Sequence, residues 1–342
     1  MSDAGEDAAL VDAVEAVVSS TTFSGAVRVD RAGTTLLDAA YGLADRRHGV
    51  AATPATRFGI ASGTKGLTAL AVLSLVADGT LSLDTRVRDL LGSDLPLVDG
   101  AVTVEHLLSH HSGIGDYVDE EAVPEVTDHV LRVPVHTLTT AEDYLAVLDG
   151  LPQVSPPGER FTYNNSGFVV LAIVAGRAAR VTFEDLVLDR VCGPAGMGAT
   201  AFLRSDELPG DAATGYLWAD RPRTNVLHLP VVGSGDGGAY TTTADVLALW
   251  RAFFAGAVVP MSLMEDAMTS RATTESGSRY GLGFWLGAED GVAGLVGSDA
   301  GVSFRTVHDR RADLTWTVVS NTSEGAWPVA RALAASLAGP QA

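Results

Sequence analysis

The chain has a single lysine, Lys65, placed three residues after a serine in Gly59-Ile-Ala-Ser62-Gly-Thr-Lys65-Gly-Leu-Thr. At the start of a helix, residues three apart share one face, so this spacing brings a hydroxyl and an amine together. The helix leaves the backbone N–H of such a serine unpaired, and the macrodipole favours negative charge there; both suit an oxyanion. Arginine stays protonated in proteins, whereas a desolvated lysine can work as a base. The neighbours Gly66, Leu67 and Ala69 bring no carboxylate near it in sequence. The pair reads as a nucleophile and its base. The competing reading is a helix N-cap serine followed by a surface lysine, and Ser-x-x-Lys alone does not choose between them.

A second constellation is Pro157-Gly158-Glu-Arg-Phe-Thr-Tyr163-Asn164-Asn165-Ser166-Gly167. Pro-Gly sets a turn, and a helical pattern begins near Ser166. Tyr163 and Asn165, two apart on a loop, can face one cleft. A tyrosine hydroxyl beside a lysine can shuttle protons to a leaving group. An asparagine amide can orient the lysine and hold a substrate carbonyl. Taken alone, the segment also fits a plain turn with an asparagine cap.

Other chemistries find less support. Gly59-x-x-x-Gly63-Thr-Lys65 lacks the Gly-Lys-Ser/Thr order and spacing of a phosphate loop. His110 and His111 are adjacent and point to different sides of any regular element, which suits a structural role better than a metal pair. No Gly-x-Ser-x-Gly elbow occurs, so a Ser-His-Asp hydrolase is not indicated. The lone Cys192 excludes an internal disulfide framework and reads as a small buried residue. No metal and no cofactor is expected.

These residues need elements to place them. Residues 64–78 are apolar around much of a helical circumference, which predicts a buried helix. Residues 140–151 and 168–179 also read as helices, and residues 62–260 as mostly helical. Leu10, Val11, Val14, Val17 and Val18 have helical spacing near the N-terminus. Residues 23–45 alternate around Arg31-Ala-Gly33, a hairpin signature. Strands are expected again at 281–286, 301–308 and 314–321, with a last helix opening at Pro328. The expected fold class is α/β: a central antiparallel sheet built from both chain ends, flanked by helices, with a mostly helical domain inserted. The boundaries read as 1–61 plus 240–342 for the sheet domain and 62–239 for the helical one, with the active site at their junction.

Composition narrows the setting. The 342 residues are 46% hydrophobic and 19% charged, which suits a folded core. A net charge of −19 should repel phosphate backbones and anionic lipid, so neither nucleic acid nor a membrane is an expected partner. The acidic N-terminus lacks a signal-peptide pattern, and no apolar run is long enough to span a bilayer, so a cytoplasmic location is expected.

Several segments together resemble the serine β-lactamase-like, penicillin-binding-protein-like hydrolases. The resemblance is strongest to the branch holding class C β-lactamases, D-alanyl-D-alanine carboxypeptidases, D-aminopeptidases and related esterases. It covers residues 23–338. It rests on Thr56-Arg-Phe-Gly-Ile-Ala-Ser62-Gly-Thr-Lys65, Ala77-Asp-Gly79-Thr-Leu-Ser-Leu83-Asp, Val104-Glu-His-Leu-Leu-Ser-His110-His-Ser112-Gly113-Ile, Pro156-Pro-Gly158 through Tyr163-Asn-Asn165, Cys192-Gly-Pro-Ala-Gly-Met197 and Gly235-Asp-Gly237-Gly238-Ala-Tyr-Thr. The resemblance implies an α/β sandwich interrupted by a helical domain. It also implies Ser62 as the acylated nucleophile, Lys65 as its partner, Tyr163 as acid/base and Asn165 as a substrate-orienting residue.

The third motif of that family departs here. In place of Lys-Thr-Gly or His-x-Gly stands Gly297-Ser298-Asp299-Ala300-Gly301. Ser298 then takes the place of the cation, Asp299 would repel a substrate carboxylate, Ala300 replaces glycine, and Gly301 would offer a second oxyanion N–H. Arg305, or an arginine of the helical domain, is the candidate for a replacement cation. The expected function is a metal-free serine hydrolase cleaving a small-molecule ester or amide. The alternatives are a β-lactamase or D-amino-acid peptidase, an acyltransferase or cyclase using the same acyl-enzyme, and a non-catalytic binding protein on this scaffold. The sequence leaves the oligomeric state open.

Overall fold

The computed structural model describes residues 3–118 and 125–337. Residues 1 and 2, 119–124 and 338–342, including the outer ends of the expected domain boundaries and of the resemblance, lie outside the described residues.

An eight-stranded antiparallel sheet forms the frame. Its spatial order is Thr34–Tyr41, Gly25–Arg31, Leu314–Ser320, Val302–Asp309, Val292–Asp299, Trp285–Leu286, Arg279–Tyr280 and Ala272–Thr273. The first two strands come from near one chain end and the other six from near the other. The hairpin turn falls at Ala32 and Gly33, both with positive φ, as a tight two-residue connection requires.

The alternating strands bury both faces. Val27, Val29, Trp316 and Val318 pack with Leu10 and Val14 of the Asp3–Ser20 helix and with Val329 and Leu333 of the Ala326–Leu337 helix. Leu295, Phe304 and Val319 face the larger core, with the Thr64–Ala77, Asn165–Ala179 and Thr243–Phe254 helices. In the Thr64–Ala77 helix, Leu67, Leu70, Val72 and Leu73 are all buried, each contributing about 1.5–3 kcal/mol by transfer from water. The Trp250 indole N–H donates to Thr306 Oγ1 at 3.0 Å, which ties the Thr243–Phe254 helix to the sheet.

Several expectations are corrected. Among the described residues, 62–260 hold the Thr64–Ala77, Asn165–Ala179 and Thr243–Phe254 helices and the continuous helical run Phe183–Ala195, separated by loops and short helical turns rather than forming an unbroken helical block. The helix expected at 140–151 is present but shorter, a 3-10 turn Ala141–Tyr144 that runs directly into an α-turn Leu145–Leu148. The Asp143 carboxylate takes the N–H groups of Thr139 and Thr140, closing the segment as a local cap. The strand expected at 281–286 shrinks to Trp285–Leu286, because Gly283 turns through φ +89. Val292–Asp299 is a full strand that periodicity did not announce, since Gly294 and Gly297 weaken its β pattern. Among the described residues, no single helix is long and apolar enough to cross a membrane.

Candidate active site

Ser62 sits in a 3-10 turn, Ala61–Gly63, immediately ahead of the Thr64–Ala77 helix rather than within its first turn. The preceding residue, Ala61, has φ +45, a conformation that costs a non-glycine residue of order 1–3 kcal/mol and persists only where its surroundings hold it. They do so here. Ile60 N–H donates to Ala239 O at 3.0 Å. Thr64 Oγ1 donates to Ala61 O at 2.8 Å and accepts Ala239 N–H at 3.1 Å. On the other side Gly297 presses against the turn: a Cβ there would meet Ile60 O at 2.0 Å. Only glycine lets the strand approach the serine this closely.

Lys65 is almost wholly buried, 2% exposed, so the reading of a surface lysine is overturned. Its Nζ lies 3.0 Å from Ser62 Oγ, 2.7 Å from Asn165 Oδ1 and 2.8 Å from the carbonyl of Asp236. The two fixed acceptors take two N–H groups and leave the third direction to Ser62. The spacing that suggested Ser62 and Lys65 is thus realised as contact, and Asn165 joins them.

The supports behind Asn165 were not legible in the sequence. Asp116 accepts from Asn165 N at 2.8 Å, Asn165 Nδ2 at 3.3 Å and Ser166 N at 3.1 Å. Because Asn165 Nδ2 faces this carboxylate, its Oδ1 is left for Lys65. Asp236 enters through Gly235-Asp-Gly237-Gly238, whose Gly235 carbonyl takes Thr68 Oγ1 at 2.6 Å. Tyr117 Oη donates to Asp236 Oδ2 at 2.5 Å. Burial pushes the Asp236 carboxyl above the usual carboxylate range. Burial and the facing carboxylate push the Tyr117 phenol well up. The one signal for this pair was an acid inside a glycine-rich run.

Tyr163 closes the site, with its ring centroid 5.0 Å from Lys65 Nζ. His110 packs on that ring at 4.5 Å, and Trp285 stacks on it at 6.2 Å, nearly parallel. Asn164 Oδ1 accepts Gly167 N–H at 2.6 Å and caps the Asn165–Ala179 helix, which fixes the loop on which Tyr163 stands.

The structure separates the four third-motif residues. Leu295 packs on Gly66 and Gly297 on the serine turn, so by strand alternation Asp299 faces the Ser62 side and Ser298 the other. Ser298 is exposed, and Asp299 lines the cleft. Ala300 is buried; its N–H goes to Asp299 Oδ1 at 2.8 Å and its carbonyl to Asn225 Nδ2 at 2.9 Å. Gly301 N–H goes to Ser323 Oγ at 2.9 Å, so it does not serve as the second oxyanion donor. Arg305 is also excluded as the replacement cation: it lies over Trp316, on the sheet face covered by the terminal helices.

A cleft opens beside Ala61, bordered by Tyr117, Asp236, Gly237 and Asp299. Asp236 and Asp299 are the charged side chains among the described residues lining it. The hydroxyl held against a buried amine thus stands next to Ala61, at the edge of a cleft whose described lining carries no cationic side chain.

Comparison with known proteins agrees with the fold. A penicillin binding protein from Bacillus halodurans has a TM-score of 0.87 at 34% identity, covering 94% of this chain and 99% of that one. An octameric penicillin-binding protein homologue from Pyrococcus abyssi has a TM-score of 0.81 at 25% identity, covering 99% and 78%. Esterase EstB of Burkholderia gladioli is 36% identical over 60% of this chain and 54% of its own length. The chain spans 62% and 60% of the length of two Bacillus subtilis relatives named as penicillin-binding proteins, at 25% and 26% identity. The Beta-lactamase family model matches residues 10–339, and the chain belongs to that family.

Proposed function

We propose that the chain is a serine hydrolase that forms an acyl-enzyme on Ser62 and cleaves a small-molecule ester or amide. The observation that carries this reading is the 3.0 Å contact between Ser62 Oγ and a buried Lys65 Nζ already held by two other acceptors. Ser62 Oγ attacks the substrate carbonyl carbon while its proton passes to Lys65. Negative charge gathers on the carbonyl oxygen at the N-terminal end of a helix, where the peptide dipoles favour it. Tyr163 relays the proton to the departing alkoxide or amine as the carbonyl–heteroatom bond breaks. Water then attacks the Ser62 ester, giving up its proton along the same groups, and frees the acid and the serine. A fluorophosphonate probe is expected to add to the peptide containing Ser62, as read by mass spectrometry. An unmodified Ser62 under conditions that label a control serine hydrolase overturns the reading.

The cleft favours neutral acyl esters over substrates recognised through a carboxylate. A charge-assisted hydrogen bond to a carboxylate contributes about 1.5–3 kcal/mol, roughly ten- to a hundredfold in affinity. The described lining supplies two carboxylates instead of such a cation. On one preparation, kcat/KM for a neutral p-nitrophenyl acyl ester should exceed that for nitrocefin by about tenfold or more. The reverse ratio would make the protein a β-lactamase in substance.

A further inference from the structure

His110 is a buried residue that the proposed reaction does not use, and it is held at φ +59, a left-handed conformation uncommon among non-glycine residues. It holds Tyr163 and the residues on either side of it at three points. Its carbonyl accepts Thr162 N–H at 2.9 Å, just before Tyr163. Its Nδ1 accepts Asn164 N–H at 3.1 Å, just after it. Its ring packs on the Tyr163 ring at 4.5 Å. A backbone N–H can only donate, so Nδ1 carries no proton and Nε2–H points to Tyr280 Oη at 3.1 Å. Tyr280 packs in turn on Trp285, which stacks on the far side of this aromatic group against Tyr163. The titratable groups around the imidazole are Lys65, His111, Tyr163 and Tyr280. Burial holds His110 well below the usual histidine range, which keeps the Nδ1 lone pair available.

We propose that His110 is the positioning residue of Tyr163, setting the tyrosine against Lys65 through a backbone clamp on both sides and a ring contact between. The proposal rests on the reading of Tyr163 as the acid/base of a serine hydrolase. The left-handed turn explains the geometry: with φ positive, the His110 carbonyl and side chain both turn toward the 162–164 backbone. Two polar contacts and one ring face then fix a side chain whose function depends on where its hydroxyl lies. His110 touches no reacting atom in this scheme and acts only through Tyr163.

The clamp predicts an asymmetry between two near-isosteric changes. His110→Asn keeps an acceptor near Nδ1 and tolerates a left-handed backbone; His110→Gln keeps a group near Nε2 but loses the acceptor for Asn164 N–H. With a neutral p-nitrophenyl ester, His110→Gln should lower kcat about ten- to a hundredfold, the cost of a slight misplacement of a reacting group, with KM little changed. His110→Asn should retain most of kcat. Tyr163→Phe alone should lower kcat by about 10²- to 10⁴-fold, and adding His110→Gln to it should cost less than about twofold more, since coupled residues are not additive. Equal losses for Asn and Gln, or the same fractional loss from His110→Gln in both backgrounds, overturn the proposal. Should the Gln variant not fold, Tyr280→Phe replaces it, with a kcat loss expected only when Tyr163 is present; an equal loss in both backgrounds is again fatal. Unchanged turnover in Tyr163→Phe, with Ser62 still acylated, defeats the acid/base reading and this proposal together. Intact Tyr163 dependence with additive His110 effects defeats this proposal alone.

Discussion

Replacing Ser62 by alanine is expected to abolish turnover of a p-nitrophenyl acyl ester, a loss of about three orders of magnitude or more, as when an essential nucleophile is removed. The structure gives the reason in steps. Ser62 is partly open while Ala61, Gly63, Thr64 and Lys65 around it are buried, so it is the exposed member of an otherwise closed turn. The strained Ala61 and the glycine contact at Gly297 hold that turn against the sheet. None of these supports uses the Ser62 hydroxyl, so the alanine variant should fold and melt like the parent. The loss of rate is then a loss of chemistry. Turnover near the parent's, in a preparation shown by mass to be free of it, would remove Ser62 from the mechanism. Survival of ester cleavage without any adduct at residue 62 would point to a nucleophile elsewhere in the cleft.

How much of this was legible in the sequence depends on how local each signal is. The buried helix at 64–77, the hairpin around Ala32-Gly33 and the strands ending at Asp309 and Ser320 rest on periodicity and turn chemistry within a few residues, and they stand within a residue or so of their expected limits. The Ser62–Lys65 contact is equally local, one helical turn. The stretch between the helices was misread because its loops are held by long-range side-chain hydrogen bonds: Tyr144 Oη donates to Val232 O, and Asn225 Nδ2 to Ala300 O. Composition cannot distinguish that from helix. Val292–Asp299 was missed as a regular strand because glycine at 294 and 297 erases the β signature at the place where close approach to the serine turn requires it.

The site's supports were illegible for a different reason. Asp116 and Asn165 lie 49 positions apart, and Tyr117 and Asp236 lie 119 apart. Neither pair belongs to a spacing motif, and each acid looks like any other in a chain with 42 of them. The third motif was legible as an anomaly, and only the sheet register could assign its residues. Strand alternation sends Asp299 toward the cleft and Ser298 away, and Asp299 Oδ1 and Ser323 Oγ consume the Ala300 and Gly301 N–H groups. The departure from a cationic motif therefore has a structural consequence on the cleft side of the strand.

Lys65→Arg is expected to be nearly as inactive as Lys65→Ala, with kcat for a neutral ester falling by about 10³-fold or more in both, as for removal of a member of the catalytic unit. Charge alone would predict otherwise, because arginine keeps it. The site offers Nζ three oxygen partners, at 2.7, 2.8 and 3.0 Å, within a wall formed by the rings of Tyr163 and Phe168. A guanidinium has five N–H donors in a rigid plane and is longer than the lysine side chain. The donors left unpaired at this depth cost about 1–3 kcal/mol each, and the ring wall resists the extra volume. More directly, arginine cannot give up a proton at neutral pH, so it cannot receive the one leaving Ser62. Lys65→Ala fails differently: Asn165 Oδ1 and the Asp236 carbonyl lose a buried donor, so a lower melting temperature should accompany its loss of rate. The two variants are to be compared by kcat and by the rate of fluorophosphonate labelling at Ser62. If Lys65→Arg keeps kcat within about tenfold of the parent, a difference of only about 1.4 kcal/mol in barrier, Lys65 is an electrostatic anchor, and the base that activates Ser62 must be sought at Tyr163.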